Sequence, residues 1–580
     1  MRESVNLISG FTRVLYTLLT SSRSHHAALI IFSAMGLADF IFRLFVFPVY
    51  TEFLFSIGAK PVWSELDAGF APIVWLVFFT IILGSLTIVI TFAAQNVPKL
   101  IDLYMDHWPS LLFVWWSAAC LVHSLTIKLF DEAGVNIVPS LIFNFHVLLA
   151  VSLIIGFPFI LSILKSTKTS NVIENLLAGG YHLFNHLANK GATANISEKE
   201  HAKIQQKLFE ELNQLMDLLV YVPYKEPKAH VIEGIGELLQ HYVKLKHKIP
   251  ESLFKINQQI EEDISFKTMK SLLGEVEKSK TFYEQKSFRL IGNAYNIFLE
   301  SGEFDLSSLC AEQLSQVGKT AIECNDQELI EVITVRMNTY FRFALKHAQH
   351  HNEPRNLYNL VFHYGQFLGH LTENHQVDRI KTCIGYFVFY GQQCFNAISS
   401  APSLSFILDV IAFEIQKLMI HVYKNKWDRE IQQELLQKFL LFDNFQDIDR
   451  DFARNFFSQN HGIRLLHIGL ALFYLEQKED EFTNTIATDT MQDLKLFGES
   501  LFTKTMKTIF TRLELSGPKI WEDTDRGNLN IYYTPFQNQI KSFIKIQDEL
   551  KLKTEKTICL LYTSDAADEG LGVDLGGRRI

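Results

Sequence analysis

The chain is expected to be all-α: a four-helix transmembrane domain followed by a helical-hairpin, irregular α-solenoid-like cytoplasmic domain. Three observations predict it. Long apolar runs are confined to the residues before Ser170, and Glu, Lys and Gln recur at helical spacing after it. No stretch alternates apolar and polar residues over the length of a convincing strand. A mean hydropathy of +0.10 therefore averages a membrane part with a water-facing part, and 580 residues leave room for about two to four domains.

Residues 1–26 read as an amphipathic helix. Val5, Ile8, Phe11, Leu15, Leu18 and Leu19 fall on one face, with Asn6, Ser9, Arg13 and Thr17 opposite. That pattern suits a helix lying in the inner membrane interface, and equally one packed on the soluble domain.

Residues 27–170 hold four expected spans, Ala27 to Tyr50, Phe70 to Phe92, Ser110 to Phe130 and Val138 to Leu164. Each suffices because about 20 apolar residues, rising 1.5 Å apiece, cover a hydrocarbon core of about 30 Å. The first is too long and too far from the start for a cleaved signal. Arg2, Arg13, Arg23, Lys99, Lys165 and Lys168 lie on one side of the membrane, and Lys60 and Lys128 on the other. The positive-inside rule then places both termini in the cytoplasm. Trp63, Trp75, Trp108 and Tyr50 sit near span ends, where amphipathic rings prefer the headgroup level. The outer loops, Thr51 to Gly69 and Asp131 to Ile137, are too short for an extracellular domain.

Ionisable and polar residues inside spans carry the candidate site. Asp39 and Arg43 are four apart on one helix face, which fits a local ion pair, a lock between helices or part of an ion path. His123, Asn144 and His146 in spans three and four can join them in a polar seam, or bond between helices. Span two carries Gly84, Ser85, Thr87 and Thr91, small residues that permit close helix approach. It ends at Gln95-Asn96-Val97-Pro98-Lys99, and Ile101, Leu103, Tyr104 and Trp108 then continue as a short amphipathic piece.

The segments GSLTIVITFAAQNVPKLIDLYMDHWP (Gly84 to Pro109) and FILSILKSTKTSNVIENL (Phe159 to Leu176), with the span between them, resemble an uncharacterised family of predicted bacterial inner-membrane proteins with four N-terminal spans. The resemblance covers roughly the first third of the chain and implies an inner-membrane location; it implies no activity. An Asn-Asp-Pro stretch of that family's soluble half is missing.

Residues 171–558 read as successive helices. Ile204, Leu208, Leu212, Leu215 and Leu219 line one face before Pro223 and Pro227, and Ile232 to Leu245 forms the next helix, stopping at Pro250. Further helices are expected over Phe282 to Leu299, Leu306 to Cys324, Glu328 to His350, Leu357 to Thr372, Asp378 to Phe395, Leu404 to Lys424, Arg429 to Leu441 and Arg464 to Leu475. Ser301-Gly302-Glu303 and Asn352-Glu353-Pro354 are turns between them. Leu466 to Phe482 resembles half of a tetratricopeptide-type repeat, without a strict period. Tyr386 to Tyr390 fits a buried strand or an aromatic helix core.

Chemistry is sparse. His347, His350 and His351 have helical spacing but no nearby cysteine or properly spaced acidic pair to complete a metal site, and His363 and His370 lie on a packing face. Gly234-x-Gly236 lacks the third glycine of a dinucleotide fingerprint, and GxxxxGK[ST], GxSxG and HExxH do not occur. Catalytic residues, cofactors and metals are therefore not expected. Asn195-Ile196-Ser197 spells a glycosylation acceptor that the topology turns to the cytoplasm. The formal charge is −9: residues 1–170 contribute nothing and 559–580 contribute −2, so 171–558 carry −7. That balance argues against nucleic acid as a partner. Cys120, Cys310, Cys324, Cys383 and Cys394 are scattered without CxxC spacing, as in a reducing compartment.

Cys559 to Asp568 corresponds to TGT CTC TTA TAC ACA TCT GAC GCT GCC GAC, which resembles a transposon-type sequencing adapter. Val573 to Ile580 matches its second constant block, and Glu569 to Gly572 sits where the variable barcode falls. Residues 559–580 are expected to be adapter-derived and are set apart from the fold.

The functional expectation is an integral inner-membrane protein, not an enzyme, whose spans anchor a helical domain for protein partners. The alternative is an oligomeric ion channel or transporter in which Asp39, Arg43, His123 and His146 face a pore. The lipid bilayer is the other expected partner, and a homo-oligomer is compatible with both.

Overall fold

A computed structural model describes residues 23–58, 67–96, 108–166, 168–193, 197–443, 450–516 and 533–552. The expected interfacial helix, the amphipathic piece after span two and the adapter-like tail lie outside these residues, apart from their last or first few positions. Every regular element among the described residues is a helix. The chain divides into two compact units, residues 1–179 with 213–231, and 180–212 with 232–580.

In the first unit α1 (Arg23–Ile41) passes through a π-helical turn, Phe42–Val46, into α2 (Phe47–Ser56). The helix runs past the expected end at Tyr50, because nothing breaks it before Gly58, which adopts a left-handed φ of +80°. The π turn precedes Pro48, which has no N–H to donate; here the Phe47 N–H bonds the Phe42 carbonyl five residues back. α3 (Phe70–Asn96) and α4 (Trp108–Glu132) form the second and third spans. The fourth comprises α5 (Val138–Ile142), a π turn over Phe143–Leu149, and α6 (Ala150–Ser166).

These four helical stretches are long and apolar enough to cross a membrane, with mean hydropathies of 2.0, 2.2, 1.4 and 2.2. Their apolar side chains are largely uncovered. Leu37, Phe45, Ile73 and Ile154 are 60% exposed or more, an arrangement that water penalises and hydrocarbon does not. α4 lies at the centre, touching α1, α3 and α6. Its small Ala119 and Cys120 admit Met35, Trp75 and Phe143 into one cluster. The small residues of span two do not serve that approach. Gly84 has open space around it, and the Ser85, Thr87 and Thr91 hydroxyls donate to the Ile81, Leu83 and Thr87 carbonyls of their own helix.

Beyond the spans come α7 (Thr169–Lys190), α8 (Glu198–Tyr221) and α9 (Lys225–Leu245). Ser197, the last residue of the acceptor-like tripeptide, is the cap of α8, its Oγ accepting the Glu200 N–H at 3.3 Å. Gly236 lets α9 pass close to Gln313, whose Oε1 would lie 2.1 Å from any added Cβ; the Gly-x-Gly is a packing device.

The second unit is built from helical hairpins. α10 (Phe282–Ser301), α11 (Phe304–Glu323), α12 (Gln327–His351), α13 (Arg355–Glu373), α14 (Val377–Ala397), α15 (Leu404–Lys424) and α16 (Arg429–Leu440) follow closely on one another. α17 (Arg450–Gln459), α18 (Gly462–Glu476), α19 (Asp480–Phe497) and α20 (Glu499–Leu515) come next, and residues 540–552 are helical. One row comprises α10, α12, α14, α16 and α19, each touching the next; a second comprises α11, α13, α15 and α18. Left-handed Gly302 and Asn352 make two of the turns. Between the rows sit buried aromatics such as Tyr295 and Tyr340, stacked at 4.4 Å. Tyr386 to Tyr390 is helical, with Phe387 buried and Phe389 exposed. Leu466 to Phe482 is the α18–α19 hairpin.

Glu211 on α8 is 7% exposed, and burial lifts its carboxyl to about 7 against the pull of Lys207 at 4.0 Å. The folded state thus holds this proton more tightly than the unfolded chain. The Glu211 contribution to stability therefore falls as pH rises from about 4.5 through 7, by at most about 1.4 kcal/mol per unit. Glu211→Gln is expected to stabilise the protein most at pH 8, and its advantage should shrink toward pH 5. Denaturation midpoints of both proteins across that range test this; a constant difference would reject it.

Candidate functional site

All four spans send a polar group to one seam. Trp75 of α3 donates its indole N–H to Asn144 Oδ1 at 2.6 Å. Indole is a donor only, so the amide of Asn144 must turn its Nδ2 toward His123 Nδ1, 3.0 Å away on α4. Nδ1 therefore accepts, and in the neutral ring the proton sits on Nε2, which faces Asp39 Oδ2 of α1 at 3.6 Å. Ser140 of α5 donates to the same oxygen at 2.8 Å. Asp39 Oδ1 is buried and has no hydrogen-bond partner in the structure.

Of the five residues singled out in the sequence, Asp39, His123 and Asn144 thus come together. Arg43 and His146 do not. Arg43 donates to the Asn136 carbonyl at 3.2 Å, and no ion pair joins it to Asp39. The cause lies in the backbone: a π turn begins at Phe42, so residues four apart no longer stack as on an α-helix. His146, exposed on the second π turn, pairs its Nδ1 with the Tyr50 hydroxyl at 2.8 Å. Both π turns flank the seam and tilt its polar residues out of plain α register.

The arrangement sets a carboxyl group beside an imidazole, 3.6 Å apart, inside apolar surroundings. Asn144 is the hinge of the network. Asn144→Leu is expected to leave the Trp75 N–H and His123 Nδ1 unpaired and to cost about 1–2 kcal/mol, read as a lower melting temperature in detergent.

Sequence reasoning did not find a second polar centre, on α18, α19 and the short turn Leu441–Asp443 that follows α16. Arg464, 6% exposed, sends Nε to Asp493 Oδ2 at 2.8 Å and to Asp443 Oδ2 at 3.1 Å. Its Nη2 reaches Asp493 Oδ1 at 2.8 Å, and its Nη1 binds Asp489 and meets His467 Nδ1 at 3.2 Å. Burial lifts Asp493 to about 7 against the attraction of Arg464 and also raises Asp443. Burial and the neighbouring Arg464 push His467 down to about 3, so its ring is neutral. Arg464, Asp443, Asp489 and Asp493 line an open pocket of about 1040 Å³, with His467 buried behind them. The only earlier signal was the acid-rich spacing of Asp489 and Asp493, one helical turn apart.

Asp443, His467 and Asp489 bring potential metal-ligating atoms within 4.8 Å of one another. The guanidinium already occupies that space, since the same three side chains face it. The histidines noted in the sequence pack elsewhere. His347 lies against His351 with ring centroids 4.4 Å apart and the rings tilted by 34°, His363 bonds the Ser308 hydroxyl at 3.0 Å, and His370 faces Glu373 at 3.6 Å.

Comparison with known proteins returns no matching family model, no matching curated protein and no matching solved structure.

Proposed function

We propose that the chain is an integral inner-membrane protein whose four spans anchor a large helical domain that recruits or regulates partner proteins on the cytoplasmic side. The observation that carries this reading is the contrast between two surfaces. Apolar side chains such as Phe45 and Ile154 are left uncovered on the spans, whereas paired rows of helices offer the extended faces on which helical-repeat proteins bind polypeptides. The excess of Lys and Arg on the side of both termini supports the orientation. The net negative charge of residues 171–558 favours protein partners over nucleic acid. Capture from detergent extracts by the full chain should recover proteins that a chain ending at residue 170 does not. Identical recoveries would sink the proposal, as would release of the protein from membranes by alkaline carbonate.

A second reading, an oligomeric channel or transporter, is favoured by one observation, the unpartnered Asp39 Oδ1 beside His123 within the spans. Four spans per chain then require several copies around one path. Proton flux into reconstituted vesicles, abolished by Asp39→Asn, is its expected signature; no flux from the wild-type protein removes it.

A further inference from the structure

The pocket floored by Arg464 carries more negative charge than its own cation balances. Asp443, Asp489 and Asp493 converge on one guanidinium. Glu481, on the wall, is matched by Arg429 at 2.8 Å. Among the described residues no lysine lines the pocket, and His467 behind it, with its pKa pressed down to about 3, brings no positive charge. Three carboxyl groups thus face one guanidinium around a site of low dielectric, where unbalanced charge is costly and burial raises the Asp443 and Asp493 carboxyls.

A second, independent observation points to a ligand. Asp443 lines the pocket, is 5% exposed, and its Oδ1 has no hydrogen-bond partner although Oδ2 faces Arg464. A carboxylate oxygen left bare inside protein is an acceptor awaiting a donor. At the same mouth, Leu441 and Leu496 stand 51% and 41% exposed. Leucines beside a carboxylate floor suit one kind of guest: a side chain with an aliphatic stem and a cationic head. A bare metal ion would use neither the leucines nor most of the volume, and it would meet the guanidinium's positive charge.

We propose that this pocket is a docking site for a basic segment of a partner protein, whose lysine or arginine packs its stem against Leu441 and Leu496 and directs its charged head to the Asp443–Asp489–Asp493 floor. The proposal rests on the protein-recruiting reading above and gives the partner a chemistry. Arg464 then has two tasks: it holds the three carboxylates in place and leaves their surplus charge facing the opening. The amide and hydroxyl groups of Asn484, Thr485 and Gln492 along the wall offer further hydrogen bonds to an extended backbone.

The test uses the full chain in detergent micelles and a fluorescein-labelled decapeptide of alternating Ala and Lys or Arg, followed by fluorescence anisotropy. Binding is expected for this peptide and not for its glutamate counterpart. Asp489→Asn, at the pocket's partly exposed edge, should weaken binding about tenfold, whereas Glu549→Gln, exposed on the 540–552 helix and not among the pocket's lining residues, should leave it unchanged. Circular dichroism melts of both variants verify that they fold. Equal binding of the acidic peptide, an unchanged affinity in Asp489→Asn, or no binding overturns the proposal. Saturable binding of Zn²⁺ that excludes the basic peptide and is lost in Asp489→Asn overturns it too, in favour of a metal site. Should capture of partners by the full chain persist while the basic peptide fails, this proposal alone falls and the recruiting function stands.

Discussion

Arg464→Met is expected to lower the stability of the protein by about 3–5 kcal/mol, the range found when one partner of a buried ionic cluster is removed. The reason is geometric. One guanidinium, 6% exposed, faces Asp443, Asp489 and Asp493, two of which are 5% exposed or less. Methionine fills similar volume but leaves three carboxylates facing one another without a cation, and they must take up protons or draw in water. Arg464→Lys should recover little, because an ammonium cannot span Nε, Nη1 and Nη2 at once. Adding Asp443→Asn and Asp493→Asn to Arg464→Met should recover much of the loss. Urea denaturation in detergent, read by circular dichroism, compares all three variants with the wild type; a loss below about 1 kcal/mol in Arg464→Met would mean that the guanidinium is not what holds this junction together.

Lys246→Met is the second large effect, at about 3 kcal/mol or more. Lys246 follows α9 and places Nζ 2.7 Å from both Glu284 Oε1 and Asp326 Oδ2. Glu284 is fully buried, and burial raises its carboxyl despite the ammonium beside it. Burial works against the charge on Lys246 as well, yet the two acids outweigh it and hold the ammonium above its usual range. Asp326 also caps α12, accepting the Leu329 N–H at 3.1 Å. One lysine therefore ties α9, α10 and the start of α12 together. Pairing Lys246→Met with Glu284→Gln should restore most of the stability, since the stranded charge is the main cost. If the double variant is as unstable as the single, packing of the lysine stem and not its charge is responsible.

The helices of both units were legible because their signals are local and redundant. Apolar length marks the spans, and an apolar stripe at helical spacing marks α10 to α16. Three later helices, α17, α19 and α20, escaped notice. α19 opens on Asp480 and Glu481 and threads Thr483, Thr485, Thr488 and Thr490 between its few apolar residues, so its stripe is thin although the helix is sound. The seam was half legible. An intramembrane acid, imidazole and amide announce themselves by cost alone, but which partner each finds depends on the π turn at Phe42, and no residue pattern foretold that register change. Trp75 was read as an interfacial ring and is instead a buried donor to Asn144. The Arg464 centre was not legible, because Asp443, Arg464 and Asp489 are ordinary surface-type residues until α16, α18 and α19 enclose them.

The rows of helices in the second unit have a mechanical corollary. Each helical hairpin touches chiefly the hairpins before and after it, so a disturbance has only two directions in which to spread. Loosening should begin at the outermost hairpins and advance inward like a zip, with the amides of α13 and α14 the last to exchange with deuterated solvent.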